Sequence, residues 1–153
     1  MVAAADPARD ATKVVRRATV TLACACASLA LPQHAPPVMS EETLFARIIR
    51  REIPADIVHE DEHVLGFRDI DPKAPTHVLF VPKKAIATID DLQPEDAELV
   101  GRLFLAAAAF ARAEGIAQDG YRLVMNCRQH GGQSVYHIHL HLLGGRQMDW
   151  PPG

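Results

Sequence analysis

The spacing of apolar residues changes period several times along the chain, and each change predicts an element. Leu44, Phe45, Ile48 and Ile49 recur at helical spacing, so Thr43–Arg51 reads as an amphipathic helix that Pro54 ends. Ile57–Glu60 and Val64–Asp69 read as short strands around a turn at Asp61-Glu62. Two prolines make 70–76 a loop, and His77–Pro82 follows as a strand with a mostly apolar body. Pro94 suits a first helical position, and Glu95, Asp96 and Glu98 complement a positive helix N-terminus. In that helix Leu99, Val100, Leu103, Phe104, Ala107 and Phe110 are the expected buried stripe, with Gly115 just past its end. Leu103–Ala111 is apolar almost all round, which predicts cover on a second side and hence a subunit interface. Tyr121–Cys127 and Ser134–Leu143 read as strands separated by a Gly131-Gly132 loop. The sum is an α+β domain with an antiparallel sheet of about five strands and two helices.

The first 38 residues are different in kind. They hold 11 alanines and 4 prolines and carry a charge of +2, whereas the remaining 115 carry −5. The break falls at about Met39. A basic patch, Lys13–Arg17, precedes an apolar stretch, Ala18–Leu31, as in a secretory signal. Asp6 and Asp10 argue against a transit peptide, and a start at Met39 is the third and preferred reading. Residues 1–38 are therefore expected to form a leader outside the folded domain of residues 39–153. A start at Met39 implies a cytoplasmic protein; a translated leader implies secretory or organelle targeting. Cys24 and Cys26, inside the leader, read as small apolar residues.

Composition removes several function classes. A net charge of −3 offers no electrostatic basis for nucleic-acid binding. No apolar run reaches the roughly 20 residues of a membrane span. Three cysteines make neither a disulfide framework nor a four-cysteine zinc site. Eight histidines are the unusual count.

Three of them alternate with apolar residues: His137, His139 and His141 against Ile138, Leu140 and Leu142. On a strand this would line one face with imidazoles and send the apolar residues into the core. Such a row suits nucleophilic or acid–base chemistry; zinc binding is the rival, although the flanking Gly144-Gly145-Arg146 supplies no acidic ligand. Gly131-Gly132-Gln133-Ser134, just upstream, offers backbone N–H groups and a hydroxyl suited to an anion. A histidine attacking phosphorus there would form a phosphoramidate intermediate that water can cleave.

The segment Ser134-Val-Tyr-His-Ile-His-Leu-His-Leu-Leu143 resembles the signature of the histidine triad (HIT) superfamily. Gly-Gly-Gln-Ser-Val-Tyr before the triad, Gly144–Gly153 after it, Ile48–Pro54 and Ala74–His77 resemble its Hint branch, the histidine triad nucleotide-binding proteins. The resemblance implies a HIT-like fold, a homodimer joining two sheets, and hydrolysis of purine nucleoside phosphoramidates. AMP or GMP would be released from a P–N bond with no metal or other cofactor. It further implies His139 as nucleophile and His141 as the group that contacts phosphate and moves a proton to the leaving amine. His137 and His77 would support them. Ser134, Asn126, Gly132 and Gln133 would surround the phosphate, and Asp69 would take the ribose hydroxyls. Leu44, Phe45, Ile48, Phe67, Ile70 and Leu79 would form the base pocket. Read without the resemblance, Asp69 is a turn cap before Asp71-Pro72 and Asn126 a strand terminator. A nucleotide-binding scaffold with incidental hydrolysis, and a zinc protein using the three histidines, are the alternatives.

Overall fold

The structure, a computed structural model, describes residues 42–152. The expectations for the leader, for Cys24 and Cys26 and for a start at Met39 lie outside the described residues, as does Gly153.

Helix α1 spans Leu44–Ile49. Thr43 is its N-cap, in extended conformation, and its hydroxyl accepts the Ala46 N–H at 3.2 Å. Phe45 and Ile48 are its buried face. Helix α2 spans Ala97–Ala113, led in by a 3-10 turn at Pro94–Asp96. It ends where Gly115 takes φ +81, so that the Ile116 N–H reaches back to the Ala111 carbonyl at 3.1 Å.

Five strands, β1 (Ile57–Glu60), β2 (Val64–Arg68), β3 (Thr76–Pro82), β4 (Tyr121–Met125) and β5 (Leu140–Gly144), form one antiparallel sheet in the order β1-β2-β3-β5-β4. Alternation divides its side chains between two cores. Val64, Val78, Phe80, Leu140 and Leu142 face Leu103, Ala106, Ala107 and Ala111 of α2. Leu65, Phe67, Leu79 and Val81 face Phe45 and Ile48 of α1. Every residue of β3 is buried, as expected of a strand covered on both sides. The register aligns Ile57, Phe67, Leu79, His141 and Val124 in one row across the sheet, on the α1 side.

Two expectations are corrected here. The strand predicted over Ser134–Leu143 begins only at Leu140. Residues 134–139 leave the ladder because their polar groups bind elsewhere: the Ile138 N–H goes to the Ile86 carbonyl, and the His137 ring to the Pro82 carbonyl. Ile138, Leu140 and Leu142 do enter the core, each at most 1% exposed, but His137 is buried with them at 1%. The α2 stripe is also shifted. Leu103 and Ala107 are buried as expected, but Phe104 is 43% exposed, and the small residues Ala106 and Ala111 meet the sheet in its place. Alanines let the helix lie close to β3 and β2, and the bulky residues turn outward with Leu105. Among the described residues no helix is long and apolar enough to cross a membrane.

Candidate active site

A cleft of about 700 Å³ opens on the α1 side of the sheet. Phe67, Arg68, Leu79 and His141 line it from the strands. Leu44, Phe45 and Ile48 of α1, residues 53–56, the loop after β2 (Asp69, Ile70, Pro72), and Ser134, Val135 and His139 complete its lining. A second cavity of about 820 Å³, between the start of β4 and residues Gly145–Trp150, contains no histidine.

The proton positions on the histidines follow from partners that can play only one role. Nδ1 of His139 lies 2.8 Å from the His137 carbonyl oxygen. A carbonyl only accepts, so Nδ1 carries the proton and the neutral ring keeps its lone pair on Nε2. Nε2 of His137 donates in the same way to the Pro82 carbonyl at 2.8 Å, leaving Nδ1 to accept from the Thr43 hydroxyl at 3.4 Å. His77 is fixed from the other side. The Lys73 backbone N–H, which only donates, points at His77 Nδ1 at 3.2 Å. The His77 proton therefore sits on Nε2, which faces His141 Nδ1 at 2.9 Å and Asp69 Oδ2 at 3.5 Å. His141 accepts on Nδ1, so its neutral ring carries a proton on Nε2. That nitrogen is buried and has no protein partner. A lone pair on His139 and a proton on His141 thus belong to adjacent rings, 4.8 Å apart between centroids.

Burial lowers the pKa of all four rings below the ordinary histidine value. His141 falls furthest, to about 4, through burial first and then the neighbouring His139 and His77. The Asp69 carboxylate opposes the shift at His77, His139 and His141 without reversing it. Near neutral pH the site is a set of uncharged imidazoles beside one carboxylate.

The sequence profile of the HIT domain matches residues 50–148. The chain belongs to the HIT family. It is 57% identical over 110 residues to a protein of Escherichia coli K12 named purine nucleoside phosphoramidase, covering 72% of this chain and 92% of that protein. An uncharacterised HIT-like protein of Synechococcus elongatus is 54% identical over 115 residues, 75% of this chain and all of that one. Among solved structures, a HIT family hydrolase of Legionella pneumophila is 58% identical with a TM-score of 0.71, over 72% of this chain and 98% of its own. A histidine triad protein of Clostridium difficile is 35% identical with a TM-score of 0.70, over 73% and 97%.

The HIT fold brings most of the predicted residues together. His139, His141, Ser134, Asp69, Leu44, Phe45, Ile48, Phe67, Ile70 and Leu79 all line the cleft. His77 and His137 stand behind it, 5% and 1% exposed, in contact with the lining through the bonds above. Asp69 Oδ1 accepts the Asp71 N–H at 2.8 Å, as its turn-cap reading expects, while Oδ2 faces His77. Three residues stand off the cleft. Asn126 and Gly132 meet at the turn after β4, where Gly132 has φ +80 and a Cβ on it would lie 3.8 Å from Asn126 Nδ2. Gln133 is buried, accepting from the Arg128 N–H and donating to the Ala87 and Val135 carbonyls, so its side chain holds the loop in shape.

The three triad histidines do not form a metal cage, because both ring nitrogens of His137 are occupied and it lies behind the site. The one group of three ligating residues found among the described residues is Asp69, His77 and His141, with ligand atoms within 4.8 Å of one another. In the neutral ring the Lys73 amide at Nδ1 keeps the His77 proton on Nε2, the nitrogen that faces this group.

Thr43, Lys73, Pro82 and Asp56 are residues of the site that the sequence reading missed. Thr43 alone had a signal, since a threonine before an apolar helical run is an N-cap. It ties α1 to the triad by capping the helix and donating to His137. Thr43→Ala is expected to cost about 1–2 kcal/mol, read as a lower urea midpoint, with Thr43→Ser retaining most of the stability. An unchanged midpoint in the alanine variant would show that the cap contributes nothing.

Proposed function

We propose that this HIT protein hydrolyses purine nucleoside phosphoramidates through a nucleotidyl-histidine intermediate on His139. The observation that carries the reading is the pairing of an unprotonated His139 Nε2 with a protonated, unpartnered His141 Nε2 beside an apolar cleft. The name of the Escherichia coli relative supports it.

The nucleotide's base would lie against Phe67, Leu79 and the apolar face of α1, with its ribose hydroxyls at Asp69. Ser134 would contact the phosphoryl oxygens. His139 Nε2 forms the bond to phosphorus as the P–N bond breaks. An anionic phosphoryl group over the His77–His141 pair favours a proton there, and His141 Nε2 delivers it to the leaving nitrogen. Water then cleaves the P–Nε2 bond, returning a proton to His141 and freeing the nucleotide. Asn126, Gly132 and Gln133 would act by shaping the phosphate-side loop. No step calls on a metal. The unpaired edge of β4 and the exposed Phe104 and Leu105 on α2 support a homodimer.

The test is release of AMP from adenosine 5′-phosphoramidate with EDTA present. AMP formation supports the reading, and none would leave a nucleotide-binding protein or a metal-dependent one. The pH profile is a second check. Attack needs neutral His139, whose pKa is lowered by burial, so the active form persists further into acid than an ordinary imidazole would allow. The acid limb of kcat/KM is expected below pH 6.5; a limb at or above that value would contradict the buried, neutral site.

A further inference from the structure

We infer that Arg68 is a positioning residue for the nucleoside: it ties the far end of the cleft, residues 53–56 and Asp69, to the C-terminal end of α2. The inference rests on the nucleotide reading above and adds to it a residue that acts on affinity rather than on the chemistry.

The far end of the cleft is a weakly held part of the sheet. Residues 53–56, which line it, run into β1, an edge strand paired with β2 alone. That ladder is short, and its register shifts between Ile57 and His59. Short edge pairings open more readily than central ones. Ahead of the ladder the wall rests on the bond from the Arg68 N–H to the Asp56 carbonyl, at 2.8 Å, and on the partly buried Ile53, Ala55 and Ile57.

Arg68 ends β2, on the face that Val64 turns toward α2. Its guanidinium meets three groups. It lies 5.7 Å from the centre of the Phe110 ring, which is itself packed 6.1 Å from Phe80. One terminal nitrogen donates to Glu114, 3.0 Å from one carboxylate oxygen and 3.3 Å from the other. Its Nε stands 3.6 Å from Asp56 Oδ2. A single planar cation thus joins the start of β1, the end of β2 and the end of α2, which a lysine with one point of charge could not do.

The place of Arg68 in its strand gives this join a consequence. Asp69 follows it, so alternation turns Asp69 to the opposite face, where it lines the cleft. Holding the Arg68 side chain against α2 therefore fixes the direction of the carboxylate proposed for the ribose. Holding Asp56 keeps the wall beside Phe67 in place. His139 and His141 lie just before and on β5, with β3 between them and β2, and none of the Arg68 contacts reaches them. Loss of the join should weaken nucleoside binding and spare the chemistry.

The experiment measures AMP affinity by calorimetry, and kcat and KM for adenosine 5′-phosphoramidate, on the full chain and on Arg68→Ala, Arg68→Lys, Glu114→Gln and the Arg68→Ala/Glu114→Gln double variant. Urea midpoints fix a temperature at which every variant is folded. Arg68→Ala should raise both the AMP Kd and KM about 5- to 10-fold, the scale of a partly exposed ion pair and a cation–π contact together, with kcat within about two-fold. Arg68→Lys should fall between it and the parent. Glu114 does not line the cleft. Glu114→Gln should nevertheless weaken AMP binding, by less than Arg68→Ala, and should add nothing in the Arg68→Ala background. A fall in kcat at unchanged KM, or lower midpoints with unchanged AMP affinity, would overturn the assignment. So would a Glu114→Gln variant that binds AMP like the parent while Arg68→Ala does not, since Arg68 would then touch the nucleotide directly. Each of these leaves the nucleotide site standing. Failure of the parent to bind AMP or turn over the phosphoramidate would overturn the nucleotide reading and this inference with it.

Discussion

Replacing His139 with alanine is expected to reduce AMP release from adenosine 5′-phosphoramidate by about four orders of magnitude or more, with AMP affinity changed only a few-fold. The size of the loss follows from the role. A nucleophile divides one difficult displacement into two easier ones, and its removal eliminates the covalent route rather than weakening it. The other histidines cannot replace it. His137 has both nitrogens engaged and is 1% exposed, and His141 presents a proton to the cleft rather than a lone pair. Binding should survive because the base platform and Asp69 are untouched. The ring of His139 does pack edge-on against Phe45 at 5.1 Å, so a modest change in affinity is expected. Loss of turnover with retained AMP binding also separates an enzyme from a nucleotide-binding scaffold. Full activity in the variant would reassign the nucleophile, and wild-type AMP binding with no turnover in the parent would favour the scaffold.

The parts of the site that were legible in the sequence share one property: local pattern determines them. Alternation around the triad correctly sent Ile138, Leu140 and Leu142 inward, because burial of three large apolar residues fixes their direction whatever the backbone does. It misplaced the imidazoles, because a histidine can satisfy itself on any carbonyl within reach. Pro82, 55 residues away in sequence, captured His137 and drew the segment before Leu140 out of the ladder.

Protonation states were not legible at all. They are set by the Lys73 N–H and by the Pro82 and His137 carbonyls, backbone groups that no side-chain pattern marks. The triad's acidic neighbour illustrates the same limit. Asp69, absent from the flanking Gly144-Gly145-Arg146, arrives from the end of β2 because β3 lies between β2 and β5 and carries His77. Sheet order is a tertiary property, and no period in the chain announces it. The shifted face of α2 has another origin. Helical spacing allows either Phe104 or Ala106 and Ala111 to face inward, and the closer packing of small residues on β3 selects the alanines.

Phe80→Ala is expected to destabilise the domain by about 3–5 kcal/mol, the range for emptying a buried aromatic site. Phe80 is fully buried, and its ring packs at 6.1 Å from Phe110 of α2. The reason for its size lies on the neighbouring strand. Phe80 pairs with Gly66, where a Cβ would come within 2.8 Å of the ring, so the glycine makes room for the phenyl group. The two positions should therefore be coupled. Gly66→Ala alone should destabilise by overpacking against the ring. In the Phe80→Ala background the same methyl enters vacated space, and its cost should shrink or reverse. A double-mutant cycle from urea midpoints would measure this, and strict additivity would sink the argument. A loss near 3–5 kcal/mol is a large share of the roughly 5–15 kcal/mol that holds a domain folded. The same strand presents Leu79 to the cleft on its other face and holds His77 against His141 behind it, so a loosened β3 would also misplace the partner of His141. Activity in Phe80→Ala should consequently fall with rising temperature well before that of the parent chain, which would link the α2-side core to the chemistry across the sheet.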